Sequence, residues 1–290
     1  MDTQRLVSLI NVTALVVIML SMGLQVTVAD VAASARSPGR VALGLIANYL
    51  LVPAVTVGLL RLFEPDPMVA VGFLVLAVCP GAPVAPPAVT IARGNVPWSI
   101  GLMVILGGLS AIFSPLLLAM IIPWFATERA LEMDYLAIVR TLLVAQLSPL
   151  AIGLAVHQFA PAVTARIVRP VALLANVMLL ALIGLILVTQ FDTLAAIRAR
   201  GWVGMSALFV GSLLIGWFCG TGDSASRKAS ALTTAARNAA VGLAIATGNF
   251  TGTPVVTAVV AYGLVSMLGT IGCAALIGRI DRARTNTAGR

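Results

Sequence analysis

Long apolar runs separated by short polar segments make up most of this chain. Nine apolar stretches approach or exceed the roughly 20 residues that a membrane-spanning helix needs. They cover roughly residues 5–28, 39–63, 67–93, 95–124, 135–157, 168–190, 201–220, 225–249 and 252–278. Nearly all charged residues lie between these stretches, as in 36–40 and 64–67. The pattern predicts an all-α polytopic membrane protein with about nine transmembrane helices.

Composition and charge agree with this prediction. The 290 residues are 60% hydrophobic and only 10% charged, whereas soluble domains average about 25% charged residues. The net charge of +8 comes from arginines placed between apolar stretches and near the C-terminus. These arginines have no interleaved aromatic residues, so we expect membrane anchors and no nucleic-acid partner.

The distribution of lysine and arginine predicts an orientation. Eleven of these residues lie on one side if the C-terminus is inside, and six lie on the other. We therefore expect the N-terminus outside and the C-terminus in the cytoplasm, in a multi-pass inner (plasma) membrane protein. The acidic loop Glu128–Asp134 would then lie outside.

Two of the nine stretches are interrupted. Cys79–Pro87 holds four prolines and a glycine, which cannot continue a helix. Thr233–Asn238 places polar residues in the middle of the eighth stretch. Each interrupted stretch is the next to last of its half, which predicts an inverted-repeat transporter fold with two broken, crossing helices. We expect one transmembrane domain over 1–290, with repeats at approximately 1–126 and 133–280 and a cytoplasmic tail at 281–290.

Acidic residues are absent from the middle of every predicted span. All ten lie in hinges or tails, which argues against a carboxylate proton relay and a carboxylate-based cation site. The sequence also offers no nucleophile–base pair and no metal-ligand cluster. We therefore expect no catalytic residues, no metal centre and no enzymatic activity.

Arg237 lies about twelve residues into a 25-residue apolar stretch, near the expected bilayer middle. An arginine at that depth costs about 2.5–3.5 kcal/mol on insertion scales. One interpretation is structural, with Arg237 capping carbonyls or tying the two breaks together. Another is functional, with Arg237 facing a water-filled cavity that attracts an anion; a third places it at the membrane surface. Asn238, beside it, carries an amide that binds either backbone or a ligand.

Five short motifs resemble those of the bile acid:sodium symporter family, bacterial type. They occur in the family's order and are distributed along most of the chain. The most specific are Cys79-Pro80-Gly81 and Thr90-Ile-Ala-Arg-Gly-Asn, which resemble the family's C-P-G-G and T/Y-L-A-R-G-N. The five are Met19–Leu24, Ile46–Pro53, Cys79–Gly81, Thr90–Ser99 and Leu232–Ala244. The resemblance implies that the first of the family's ten helices is missing here, which agrees with nine spans.

The resemblance also implies positions for two sodium ions around the crossover. These sodium-site positions are Asn48, Ala85, Pro86, Ser99, Met103, Thr233 and Arg237. The residues implied to bind substrate are Pro83, Val84, Ser99, Thr234, Arg237 and Asn238. Where the family has a glutamate and a glutamine, this chain has Thr233 and Arg237. We hypothesise that both sodium sites are lost, that Arg237 replaces them permanently, and that no other cofactor is needed.

The resemblance implies a secondary active transporter that moves a small or amphipathic organic anion by alternating access of a core against a panel domain. Its partners would be that anion and the lipid bilayer. Two alternatives stay open: an oxyanion or metalloid permease related to arsenite carriers, and a non-transporting membrane sensor with the same fold. The substrate, the coupling ion and the oligomeric state are left open by the sequence.

Overall fold

The computed structural model describes residues 3–125, 135–189, 191–195, 197–250 and 252–288, and these form helices with no strand among them. The helices are α1 Thr3–Leu24, α2 Val28–Ala35, α3 Pro38–Phe63, α4 Pro67–Ala77, α5 Ala85–Ile91, α6 Val96–Ile121, α7 Tyr135–Phe159, α8 Pro161–Thr189, α9 Phe191–Ala195, α10 Ala199–Cys219, α11 Ser224–Ala235, α12 Ala239–Asn249 and α13 Pro254–Ala288. The predicted all-α class is therefore confirmed. The loop Glu128–Asp134 lies outside the described residues.

Six helices are long and apolar enough to cross a membrane by length and composition: α3, α6, α7, α8, α10 and α13. The pair α1 and α2 meets the same criterion jointly but bends by 79° at its break. The halves of the two interrupted stretches have 11, 7, 12 and 11 residues, so each is too short to span a bilayer alone. The chain is a multi-pass membrane protein, and its nine spans stay a prediction.

The first break is shorter than its proline content predicts. Helix α4 ends at Ala77 and α5 begins at Ala85, so Pro86 and Pro87 start a helix. Proline is tolerated in a first helical turn, where its missing N–H would have no intrahelical partner. Gly81 adopts φ +84°, and a Cβ atom there would lie 2.7 Å from the Gly107 nitrogen. Glycine is therefore required at this point of the break.

The second break is also shorter than expected. Helix α11 continues through Ala235, and only residues 236–238 interrupt it before α12 begins. Thr233 and Thr234 are therefore helical. The Asn238 side chain caps α12 by accepting a hydrogen bond from the Val241 N–H, at 3.3 Å.

A wider π-helical turn interrupts both α3 and α7 at equivalent points. The turns are Ala47–Leu51 and Leu143–Leu147, and a proline follows each of them, at Pro53 and Pro149. Proline has no N–H for the preceding turn and its ring crowds the carbonyl four residues back, which favours a local widening. A buried amide side chain lies in each turn, Asn48 in the first and Gln146 in the second.

The helices pack into two groups. Helix α1 packs against α7 and α8, and we call these three the panel bundle. Helices α3–α6 and α10–α13 form the core bundle, in which α10 packs on α11 and α13 on α4. The two groups meet where α1 contacts α12 and where α7 contacts α6.

Two buried amides join these groups, and we call Asn11 and Gln146 the interbundle amides. Asn11 Nδ2 on α1 donates to Thr247 Oγ1 on α12, at 3.2 Å. Gln146 Nε2 on α7 donates to Ser110 Oγ on α6, at 2.7 Å, and to the Gly107 carbonyl. The described contact between panel and core thus includes polar bonds at two points.

A close approach of α1 and α7 inside the panel bundle yields a stability prediction. A Cβ atom at Gly153 would lie 2.5 Å from the Leu20 carbonyl oxygen, whereas one at Gly184 meets nothing within 4 Å. Gly153→Ala should therefore lower stability by about 1–3 kcal/mol through overpacking of α1 on α7, and Gly184→Ala should not. Thermal unfolding of both purified variants checks this, and equal midpoints would contradict the packing.

Candidate functional site

The two helix breaks contact each other directly. The Asn238 backbone N–H donates to the Cys79 carbonyl at 2.8 Å, and Asn238 Nδ2 donates to the Gly81 carbonyl at 3.2 Å. Ala82, Ala85 and Ala236 pack together beside these bonds in a small buried cluster. Small side chains permit this close approach of backbones, as they do between membrane helices in general. The breaks therefore meet, as the sequence predicts.

Arg237 lies at this meeting point and is 3% exposed. Its guanidinium donates to the Ala77 carbonyl at 3.0 Å, to Asn48 Oδ1 at 2.9 Å, and to the Thr234 carbonyl. Its backbone N–H donates to Ser266 Oγ at 2.9 Å. The guanidinium therefore ties α4, α11 and α3 together, which is the structural interpretation of this arginine. Its side chain is buried inside the protein and does not face the surroundings.

The carbonyls that Arg237 contacts belong to helix C-termini. Ala77 ends α4, and Thr234 lies next to the end of α11. The last carbonyls of a helix have no intrahelical donor, and the helix dipole makes this end negative. Two such ends converge on one guanidinium, so the cation satisfies both orphaned carbonyls and the two partial negative charges.

No carboxylate balances the charge of Arg237 in the described parts of the chain. The buried polar side chains found there include no aspartate and no glutamate, and Arg237 Nε has no hydrogen-bond partner. A buried cation without a paired anion is costly. The charge of Arg237 is therefore offset only by the partial negative charges of the two helix ends, and its Nε–H is left as a donor without a partner there.

The polar sodium-site positions are gathered at the same place but bond to one another. Ser99 Oγ and Thr233 Oγ1 share a hydrogen bond of 2.7 Å, and Asn48 Nδ2 donates to the Gly44 carbonyl and to Thr234 Oγ1. Asn48 Oδ1 is already the acceptor of Arg237.

The remaining sodium-site positions contribute no side-chain oxygen. Ala85 and Met103 are buried apolar residues, and Pro86 lies in the first turn of α5. This set has no carboxylate and already contains a fixed cation, so it is poorly matched to two further cations. The donor chemistry therefore does not fit the pair of sodium sites that the resemblance implies.

A small cavity of about 60 Å³ lies beside the breaks. Four of the predicted substrate-binding residues line it: Pro83, Val84, Arg237 and Asn238. The other two, Ser99 and Thr234, are buried and are not among its lining residues. The remaining walls come from α1, α12 and α13, through Ile18, Leu243, Val260, Gly263, Leu264 and Met267 among others.

Sequence reasoning did not identify the apolar walls of this cavity or Gln146. Nothing distinguishes Ile18 or Val260 from other lipid-compatible side chains, so no local signal marks them. A sequence pattern does mark Gln146: it lies shortly before Pro149, just as Asn48 lies shortly before Pro53 in the first repeat. Both amides lie in π turns, which occur often at functional sites.

The fold and site together define a polytopic membrane protein in which two interrupted helices meet around a buried cation. Residues 12–197 match the family described as the Sodium Bile acid symporter family, and the chain belongs to it. The printed names of its relatives describe transporters and cotransporters. This chain is a transporter of the bile acid:sodium symporter type. The matched region ends before α10, so the second break lies beyond it.

Two relatives illustrate the similarity. The Bacillus subtilis protein "Uncharacterized sodium-dependent transporter YocS" is 27% identical over 240 residues, which cover 81% of this chain and 72% of that protein. The rice protein "Probable sodium/metabolite cotransporter BASS2, chloroplastic" is 26% identical over 255 residues, covering 86% of this chain and 59% of the relative. The rice protein is thus considerably longer than the aligned region.

The bonds of Asn238 yield a second prediction. Asn238→Ala removes the cap of α12 and leaves the Gly81 carbonyl without its donor, which should cost about 2 kcal/mol or more in sum. Asn249→Ala removes an amide that bonds only within its own helix, to the Ile245 carbonyl, and should cost much less. Thermal unfolding of the two purified variants compares them. A larger loss for Asn249→Ala would contradict this role of Asn238.

Proposed function

We propose that the protein is a secondary carrier of a small or amphipathic organic anion and that its transport does not depend on sodium. The observation that carries this proposal is the buried Arg237 guanidinium, held between two helix ends with no buried carboxylate among the described residues. In this proposal, Arg237 supplies the positive charge that bound sodium ions would supply in the family that the chain resembles.

The helix ends at the two breaks differ in partial charge and in what they contact. The C-termini of α4 and α11 contact Arg237, whereas the N-terminus of α12, with Asn238 and Ala239, lines the cavity. Helix N-termini carry partial positive charge and attract anions. With Arg237 at its edge, the cavity has positive potential from a side chain and from a helix end, which supports an anionic substrate.

The chemistry of the cavity walls supports an anion with an apolar body. Apart from Arg237 and Asn238, the lining is made of aliphatic residues, proline, glycine and methionine. A multiply charged oxyanion would find few donors there, since the described lining offers one cation. We therefore favour a monoanionic carboxylate with a hydrocarbon portion over an inorganic oxyanion or a metalloid.

The position of the cavity supports alternating access. Ile18 belongs to the panel bundle, and the other lining residues belong to the core bundle. A site between two separately packed groups changes its exposure when one group moves against the other. Movement of the core bundle along the panel bundle would carry the bound anion from one membrane side to the other.

The proposed independence from sodium differs from the printed names of the relatives. Both names include sodium, at identities of 26–27%. At that distance, individual ligands can change while the fold persists. Thr233, bonded to Ser99, and Arg237, bonded to Asn48, are the two residues that support the difference.

Uptake by the purified protein in liposomes tests the coupling. Radiolabelled carboxylates of increasing hydrocarbon length are presented in sodium medium and in choline medium. We expect the same uptake rate in both media, because Arg237 already supplies the positive charge. A steep rise of uptake with sodium concentration would overturn the proposal.

A revertant variant sharpens this test. By the resemblance, the family has serine at 85, asparagine at 86, threonine at 103, glutamate at 233 and glutamine at 48 and 237. A variant with these six side chains (Asn48→Gln, Ala85→Ser, Pro86→Asn, Met103→Thr, Thr233→Glu and Arg237→Gln) should acquire sodium-stimulated uptake. Arg166→Gln, which changes an exposed arginine on α8, should stay independent of sodium.

Thermal stabilisation measures binding of the anion separately from its transport. Thermal stabilisation by the same carboxylates is measured on the wild type, Arg237→Gln and Arg237→Lys. We expect stabilisation of the wild type, about tenfold weaker binding to Arg237→Lys and a greater loss in Arg237→Gln. Stabilisation without any counterflow in liposomes would instead assign the protein as a sensor.

A further inference from the structure

A second and larger cavity, of about 600 Å³, opens between α3, α4, α10 and α13. Its rim lies where α3 ends and where α4, α10 and α13 begin. None of its lining residues lines the cavity beside Arg237. It belongs entirely to the core bundle, so the proposed transport cycle does not use it.

The cavity is a deep pocket with apolar walls. Its lining extends from Phe63 down to Thr56 on α3 and from Gly201 down to Leu208 on α10. Seven residues of helix correspond to about 10 Å of depth. The inner walls are formed by Leu60, Phe73, Met205, Leu208, Ala258 and Ala261. A volume of this size and lining is typical of sites for amphipathic small molecules.

Two cations lie on the α10 side of the rim, Arg198 and Arg200. The Arg200 guanidinium is oriented by a hydrogen bond to the Leu62 carbonyl at 3.4 Å and lies 5.9 Å from the Phe63 ring centre. These contacts fix it at the mouth without neutralising it. The side chains of both arginines are otherwise exposed.

Two carboxylates, Glu64 and Asp66, line the rim between the end of α3 and the start of α4. Glu64 ends α3 in the left-handed conformation, with φ 45°, which a glutamate rarely adopts. Asp66 caps α4 by accepting from the Met68 N–H at 2.8 Å. Neither carboxylate is within ion-pair distance of a cation in the described parts of the chain. The mouth thus presents both signs of charge with no ion pair between them among the described residues.

We propose that this cavity binds a phospholipid whose headgroup carries both a phosphate and a primary ammonium. The phosphate contacts Arg198 and Arg200, the ammonium contacts Glu64 and Asp66, and one acyl chain enters the apolar depth. The rim lies at the ends of membrane-spanning helices, which is the level of lipid headgroups. Both charges of this headgroup thereby acquire a partner. An anionic headgroup has no ammonium for the carboxylates, and a trimethylated ammonium has no N–H to donate to them.

Native mass spectrometry of the delipidated full-length protein tests this proposal. Phosphatidylethanolamine, phosphatidylcholine and phosphatidylglycerol with identical acyl chains are titrated separately. We expect one retained phosphatidylethanolamine, with phosphatidylcholine and phosphatidylglycerol bound about tenfold more weakly. Equal retention of the three lipids, or retention of water-soluble phosphoethanolamine alone, would overturn the assignment.

Variants locate the bound lipid. Arg198→Gln/Arg200→Gln and Glu64→Gln/Asp66→Asn should each remove the preference for phosphatidylethanolamine, since each removes one half of the charge complement. A Cβ atom at Gly204 lies 3.8 Å from the Phe63 ring, so Gly204→Leu fits the backbone and fills the cavity, which should abolish retention. Thermal unfolding verifies that the three variants are folded.

A matched control carries the same charge change elsewhere. Arg227→Gln/Arg279→Gln removes two exposed arginines that do not line the cavity. Its preference for phosphatidylethanolamine should equal that of the wild type. If the control loses the preference as fully as Arg198→Gln/Arg200→Gln does, the lipid responds to overall charge and the proposed site is wrong.

Discussion

The contact between the Arg237 guanidinium and the ends of two half-helices is the interaction on which the site depends. Breaking a helix inside a bilayer leaves carbonyls that no water can reach, so each break needs donors from elsewhere in the protein. Arg237 supplies donors to α4 and α11 together, while Asn238 bonds to the Cys79 and Gly81 carbonyls. Two adjacent residues thus make the two interruptions depend on each other.

The same two residues give the crossing its electrostatic character. The cation is fixed at the negative helix ends and lines the cavity, while Asn238 caps the start of α12, which also lines it. An ion that binds and dissociates is replaced, in this proposal, by one that is part of the chain. Such a carrier keeps its positive charge when its site is empty, so the return of the empty site is costly and the exchange of one anion for another is favoured.

Much of the fold and part of the site follow from the sequence for identifiable physical reasons. Four prolines and a glycine at 79–87 mark the first break because few backbones tolerate them, and Arg237 marks the second because charge is costly in lipid. The residues at which the breaks end could not be predicted from the sequence. Pro86 and Pro87 lie in the first turn of α5, although prolines usually indicate the end of a helix. Side-chain pairing, such as that of Ser99 with Thr233, depends on residues more than a hundred positions apart.

The interbundle amides have a consequence for the speed of the transporter. Asn11 and Gln146 connect panel and core through hydrogen bonds in a region that water reaches poorly. Sliding one group past the other breaks both bonds before new acceptors come within reach, and each exposed donor then costs about 1–3 kcal/mol. In the proposed cycle, two amides that do not line the anion cavity therefore contribute to the activation barrier, and sequence changes there would alter turnover independently of affinity.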